Sequence, residues 1–372
     1  MPEITLTNVT KRFGKFTAVD KLNLVIADGG FVTLLGPSGC GKTTTLRMIA
    51  GLESPTEGEI CINGVPVFSS DKGIDISPNK RDVGFLFQNY ALWPHMTVEQ
   101  NISFGLENLK WDKQKIRSRI DELLTMLKIE AFGKRYPNEL SGGQQQRVAI
   151  ARTLATGPKV LFMDEPLSNL DAKLRTEMRS ELKRLHTETN STFVYVTHDQ
   201  LEAMTLSTKT CLMKEGIVQQ YAPPLEVYNN PANIFAADFV GSPTMNFIET
   251  KGRKGNAGEI MLSVSGREFA FAPAAGEIAV KDEQPLTLGI RPEYIRIGES
   301  GSVPAKTYAA LPSGMETIVK LHFGDLILTS VIFGAIDYKS DTEIKIDFVS
   351  DNCILFDRES GVNLGRGKLT VL

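Results

Sequence analysis

The sequence predicts an α/β protein built on a mainly parallel sheet, followed by a smaller β-rich domain. Three observations carry that prediction. A glycine-rich loop stands between an apolar strand and a helix. Short apolar strands alternate with helix-like stretches up to about residue 236. Beyond about residue 241 the segments become short, Gly-punctuated and alternating. Strand–helix alternation is the signature of a sheet covered on both faces, whereas runs of short strands suggest a barrel or sandwich.

The loop is the decisive element. Gly36-Pro37-Ser38-Gly39-Cys40-Gly41-Lys42-Thr43 matches G-x-x-x-x-G-K-[ST] at every fixed position. It follows the strand-like Phe31–Leu35 and leads into a helix-like run over 44–50, the context that makes the pattern a phosphate-binding loop. Glycines let successive N–H groups point at one anion, and the helix start adds its positive end. Lys42 is expected to reach the β- and γ-phosphates, and the Thr43 hydroxyl to ligate Mg²⁺, with Thr44 counted among the nucleotide contacts. A nucleoside triphosphate follows from this loop; its use does not.

The remaining strands are expected at 83–87, 160–163 and Thr192–Thr197, each short and apolar as buried parallel strands are. Between them, residues 89–158 read as a helical insertion. Its segment 113–127 places Ile116, Ile120, Leu123, Leu124 and Leu127 on one stripe. The strand at 160–163 ends in Asp164-Glu165. Asp164 is expected to hold the water shell of Mg²⁺ beside Thr43, and Glu165 to act as general base on the attacking water. The alternative is a plain helix cap. Ser141-Gly142-Gly143-Gln144 opens a helix over 145–155 and forms a second anion-binding helix start, or else a capped helix with no ligand. Gln88 and His198 each follow a strand end, where ligand sites form in α/β sheets, as ordinary strand-end residues also do. Phe13 is either an adenine-stacking ring or a core aromatic. Arg147, Arg152 and Arg175 read as solvated or ion-paired, without chemistry.

At 372 residues the chain exceeds one typical core, and two domains are expected, 1–236 and 237–372. The Pro-rich run Ala222-Pro223-Pro224 and the turn Asn229-Asn230-Pro231 precede the change of character. In the second part, strands are expected at 324–331, 343–349 and 353–356. A hydrophobic fraction of 42%, a charged fraction of 23% and a net charge of −3 give no reason to expect nucleic acid as a partner. No apolar run approaches the roughly 18–20 residues that span a bilayer, and Met1-Pro2-Glu3 begins no signal peptide, so a cytosolic location is expected. The four cysteines are scattered and suggest neither a zinc site nor a disulfide framework. Cys40, beside Lys42 at a helix start, lies where a thiol pKa tends to fall, although a small residue that simply fits the loop is the better explanation.

Taken in order, GPSGCGKT, FQNYALWPH, LSGGQQQRVAIAR, VLFMDEP, SNLD and VTHD resemble the motif set of ABC-transporter ATPases. The segments Gly241-Ser242-Pro243-Thr244-Met245-Asn246-Phe247 and Gly289-Ile290-Arg291-Pro292-Glu293 are similar to the regulatory extension of the maltose- and glycerol-phosphate-type importers. The resemblance implies a P-loop NTPase domain with a helical subdomain, then an OB-like barrel used for regulation. It implies an ATP sandwich in which Ser141, Gly142, Gly143 and Gln144 of a second copy close over the first copy's loop, with Asp171 at the seam. It further implies Phe13 as the adenine platform, Gln88 as the lid glutamine and a Mg²⁺ contact, Asp164 as the magnesium aspartate, Glu165 as the base and His198 as the switch. Permease subunits would dock near 88–93, and a solute-binding protein would act through them. The implied solute is a sugar or glycerol phosphate; polyamine, iron or inorganic-anion importers are the alternative, and a soluble non-transport ATPase a further one. Gln145 stands where many relatives carry arginine, and Trp93 where tyrosine is common. Residues 71–80 look like a lengthened loop.

Overall fold

The computed structural model describes residues 3–255, 258–299, 301–349 and 351–372. Met1 and Pro2, with which the signal-peptide reading begins, lie outside them. The chain divides into two compact units, Met1–Pro224 and Leu225–Leu372.

The first unit holds two sheets. An antiparallel sheet runs in the order β2 (Phe16–Ile26), β1 (Ile4–Phe13), β4 (Glu57–Ile62), β5 (Val65–Ser69), β6 (Ile74–Asp75). The pairing of β1 with β2 slips at several points, and Asn8 and Lys21 adopt positive φ there, as bulged strands do. The stretch 71–80 is not a plain loop: it contains β6 and a 3₁₀ turn at Pro78–Lys80.

The second sheet runs β11 (Ile217–Ala222), β10 (Lys209–Lys214), β3 (Phe31–Leu35), β9 (Thr192–Thr197), β8 (Val160–Asp164), β7 (Val83–Leu86). From β10 to β7 every pairing is parallel. Alternate residues of these strands feed two cores. Phe31, Leu161, Met163, Phe193 and Tyr195 face one; Val32, Leu34, Phe162, Val194 and Val196 face the other. Burial on both sides explains why these strands read as unbroken apolar runs.

Helix α1 (Lys42–Ala50) leaves the end of β3. The helical insertion comprises α2 (Val98–Asn108), α3 (Lys113–Met126) and α4 (Gly142–Ala155), packed on one another. On α3 the expected stripe is the buried one, with Ile116, Leu123 and Leu124 inside and Leu127 just beyond its end. Each helix starts on a side-chain cap: Thr97 for α2, Asp112 for α3 and Ser141 for α4. Helix α5 (Ala172–Thr189) begins on Asp171 and α6 (Gln200–Leu206) on Asp199.

The second unit carries α8 (Ile234–Phe239) and most of α7 (Pro224–Asn229), then eleven strands. Six of them, β12 (Asn246–Lys254), β13 (Ile260–Val264), β14 (Arg267–Pro273), β22 (Asn363–Val371), β21 (Cys353–Asp357) and β15 (Gln284–Ile290), close into a barrel. The other five form a sheet in the order β16 (Ile295–Ile297), β20 (Glu343–Phe348), β17 (Val303–Pro312), β18 (Glu316–Phe323), β19 (Leu326–Phe333), and one apolar core serves both. The strand expected at 324–331 starts two residues later, because Gly324, at φ 58°, turns the β18–β19 hairpin.

The sequence reading places the domain junction at 236–237; the compact unit begins at Leu225. The difference has a visible cause. The Arg291 guanidinium, 2% exposed, donates to the carbonyls of Tyr228 (2.8 Å), Ala237 (3.0 Å) and Val240 (2.5 Å) and lies 4.1 Å from the Tyr228 ring centroid. Asn246 makes a second tie, donating to the carbonyls of Ile290 and Thr329 and accepting from Thr329 N–H. Both motifs that suggested a regulatory extension are thus structural members of this unit. Replacing Arg291 with Met leaves three carbonyls without their donor, and a loss of about 2–4 kcal/mol is expected from the second unit. Urea unfolding followed by barrel-strand circular dichroism measures it.

Candidate active site

Three parallel strands end on one edge in close register. Leu35 of β3 pairs with Thr197 of β9, and Asp164 of β8 pairs with Val196. The chain leaves this edge through 36–43 after β3, through Glu165 after β8 and through His198 after β9.

The loop 36–43 curls around the Lys42 ammonium. Lys42 is 5% exposed, and its Nζ donates to the carbonyls of Gly36 (2.8 Å) and Pro37 (2.9 Å). The third ammonium donor is spent on a long, weak contact to Cys40 Sγ at 3.7 Å, which an anion would displace. Ser38 and Gly39 form the exposed tip of the curve. Gly41 has φ 98°, and a Cβ there would come within 2.5 Å of the Ala18 carbonyl oxygen. Only glycine closes this cradle, which leaves backbone N–H groups and a helix start aimed at the same space. These residues fit a triphosphate.

Thr43 Oγ1 donates to Asp164 Oδ1 at 2.8 Å, and Arg47, on the next turn of α1, reaches Asp164 Oδ2 at 3.5 Å. Asp164 is 5% exposed. One hydroxyl and one carboxylate oxygen suit Mg²⁺, which keeps several waters and takes its other ligands from phosphates. Arg47 is a neighbour that the motif reading missed, because an arginine on an amphipathic helix gives no local signal.

Glu165 adopts φ 45°, a left-handed conformation uncommon for a residue with a side chain. Its N–H continues the ladder to Val196 O (3.1 Å) while its carboxylate turns off the strand to meet His198 Nδ1 at 3.1 Å. Two residues expected from separate strand ends are therefore in direct contact. Behind them Asp199 caps α6 and pairs with Arg175 (3.5 Å), which also donates to Leu170 O. Arg175 thus braces the turn that carries His198.

Gln88 is exposed, and its carboxamide donates to Ser168 Oγ at 3.3 Å; its carbonyl accepts from Asn169 Nδ2 at 3.2 Å. Its recorded bonds go to the segment after Glu165, not to Thr43 or Asp164. Phe13 is 48% exposed at the end of β1, with Lys11 Nζ 4.7 Å from its ring centroid, so it is no core aromatic. Ser141 and Gln144 close a reciprocal cap: Ser141 N–H donates to Gln144 Oε1 (2.9 Å) and Gln144 N–H to Ser141 Oγ (3.4 Å). Gly142 is exposed there, while a Cβ on Gly143 would strike Leu174 at 2.6 Å. Asp171 is exposed and spends one carboxylate oxygen on Leu174 N–H. Gln145 donates to the carbonyls of Pro137 and Leu140, which pins the approach to the helix.

Two expectations are corrected. Cys40 is 3% exposed, and burial pushes its thiol up, outweighing the pull of Lys42. Arg152 is no solvated face; its guanidinium is bonded to Tyr90 and Ala91.

The chain is similar to known proteins over most of its length. Residues 19–168 match the family described as ABC transporter, and residues 241–295 match the MalK OB fold domain. An uncharacterized ABC transporter ATP-binding protein, y4oS of Sinorhizobium fredii, is 42% identical over 98% of this chain and 95% of its own. The trehalose/maltose import ATP-binding protein MalK of Thermococcus litoralis is 41% identical over 97% of this chain and 99% of its own. The spermidine/putrescine import ATP-binding protein PotA of Marinobacter nauticus is 42% identical over 93% of each. Among solved structures, the ATP-binding cassette MJ0796, in a dimeric post-hydrolysis state bound to ADP and Pi, aligns with TM-score 0.52 and 36% identity, covering 59% of this chain and 98% of that one. The site is that of a P-loop ATPase of the cassette type. The chain belongs to the ABC transporter ATP-binding family, and its activity is ATP hydrolysis.

Burial both shields the Cys40 thiol and disfavours its thiolate. Iodoacetamide at pH 8 is expected to label it in the folded protein at less than about a tenth of the rate seen in urea, by peptide mass spectrometry.

Proposed function

We propose that this chain is the ATP-hydrolysing subunit of a binding-protein-dependent importer, held at the cytoplasmic face of a membrane by permease subunits. No helix among the described residues is long and apolar enough to cross a membrane. The observation that carries the reading is the Glu165–His198 contact at the strand ends that also present Lys42 and the Thr43–Asp164 pair. A phosphate cradle alone binds; a carboxylate turned out of the sheet beside it can take a proton from water.

In this reading Gly36, Pro37, Ser38, Gly39, Cys40, Gly41 and Thr44 shape the cradle, and Lys42 neutralises the β- and γ-phosphates. Thr43, Asp164 and Gln88 would hold Mg²⁺, which when bound offsets phosphate charge. Phe13 stacks on adenine. Glu165 accepts the proton of the attacking water, and His198 fixes that carboxylate and meets the γ-phosphate. Ser141, Gly142, Gly143 and Gln144 close over the nucleotide of a second copy, with Asp171 at the seam. The dimeric state of the solved cassette relative supports the pairing. The proposed division of labour is ATPase chemistry in the first unit, with its helical subdomain at 89–158, and regulation in the β-rich second unit.

For the solute, a sugar or glycerol-phosphate-like compound is proposed. The support is the near full-length likeness to a trehalose/maltose import protein and the MalK OB fold match. A polyamine is the second reading, because a spermidine/putrescine import relative is equally similar. Uptake of labelled maltose, glycerol 3-phosphate and spermidine by a strain lacking this chain separates the two: loss of spermidine uptake alone refutes the sugar reading.

Removing the general base is expected to slow turnover about 10²–10⁴-fold. Glu165→Gln should therefore bind ATP, elute as a dimer with ATP in light-scattering chromatography, and hydrolyse at that reduced rate. A near-normal rate would exclude Glu165 as the base.

A further inference from the structure

The segment after β7 that carries Gln88 passes through two consecutive left-handed residues, Tyr90 (φ 60°) and Ala91 (φ 49°). Neither is glycine, and such a conformation persists only where its surroundings over-determine it. Local bonds hold both residues, Tyr90 N–H to Phe87 O and Ala91 N–H to Asn89 O, and a further restraint comes from about sixty residues away in sequence. Arg152, in the last turn of α4, donates from Nη1 to Ala91 O at 2.6 Å and from Nη2 to Tyr90 O at 2.8 Å. The same guanidinium lies 4.7 Å from the centroid of the Trp93 ring. Trp93 in turn packs on Phe104 of α2 at 4.4 Å, and buried Asn101 accepts its N–H and donates to its carbonyl. A planar fork can satisfy two adjacent carbonyls while stacking on a ring; a lysine ammonium, a point charge, cannot do both.

We propose that Arg152 is the positioning residue of the nucleotide lid: it clamps the backbone at Tyr90 and Ala91, sets where Gln88 stands, and couples that segment to the helix begun by Ser141. The two ends of the segment are held differently. At Gln88 the ties are exposed: its carboxamide donates to Ser168 Oγ, a bond that can exchange when a phosphate arrives, and its main-chain carbonyl accepts from Asn169 Nδ2. At Tyr90 and Ala91 the tie is a bidentate guanidinium, partly withdrawn from water. The segment can therefore swing at Gln88 while its other end travels with α4. Engagement of Ser141 with a nucleotide moves Trp93, and movement of Trp93 shifts Gln88. The lid half of this inference rests on Gln88 contributing to the Mg²⁺-nucleotide site, as proposed above; the clamp does not.

The test uses the full-length chain with Trp111→Phe, which leaves Trp93 as the single tryptophan. Arg152→Met is expected to lower kcat for Mg-ATP about tenfold with KM close to the parent's and a modest fall in melting temperature from the two carbonyls left without a donor, since misplacing a catalytic group costs rate more than binding. Trp93 emission should become more accessible to acrylamide and lose its response to Mg-ATP, and Arg152→Lys should restore only part of both. Wild-type kcat and quenching in Arg152→Met would overturn the proposal. So would a parallel loss of stability, KM and kcat that Arg152→Lys fully repairs, since that marks a general packing role. Gln88→Ala serves as the comparator: if it keeps the parent's kcat, the lid role of Gln88 falls, while the Trp93 readout still decides the clamp.

Discussion

Everything at the candidate site depends on three parallel strands ending in register. Because β3 pairs with β9 and β9 with β8 without a slip, the residues that follow them emerge side by side. The phosphate loop, the Asp164-Glu165 pair and His198 thus come from three stretches of sequence yet share one edge. Parallel pairing forces each connection to travel back across the sheet, and this chain uses the return trips for its helices. The β8-to-β9 return is α5, whose cap is Asp171; the helical insertion fills the return from β7 to β8. Positions assigned to a second subunit's site are therefore tied to the same strands as positions assigned to this one.

Much of this was legible because burial leaves a plain mark. Strands β3 and β9 are covered on both faces and read as continuous apolar runs with the observed boundaries. The glycines of the loop and the serine cap of α4 declare themselves through conformational need. The antiparallel sheet of β1 and β2 was not legible. Phe16 and Val25 are exposed, and bulges near Asn8 break the two-residue alternation that identifies a half-buried strand.

Arginines were the systematic blind spot. Arg47, Arg152 and Arg291 all act on groups distant in sequence, and for Arg152 and Arg291 those groups are main-chain carbonyls, which any residue supplies. No pattern of side-chain types can reveal such a partner. Cys40 shows the converse error: a local rule about helix starts and nearby lysines pointed down, and burial, which the local sequence does not display, pushed up.

The backbone at Glu165 has a consequence for how this protein can change over time. A side chain at φ 45° costs roughly 1–2 kcal/mol relative to glycine, so the folded state would gain from losing it. Drift towards sturdiness and retention of chemistry therefore pull in opposite directions at this one position. Lineages freed from ATP hydrolysis would be expected to relax here, making residue 165 a marker of whether a copy of this gene still works for its living.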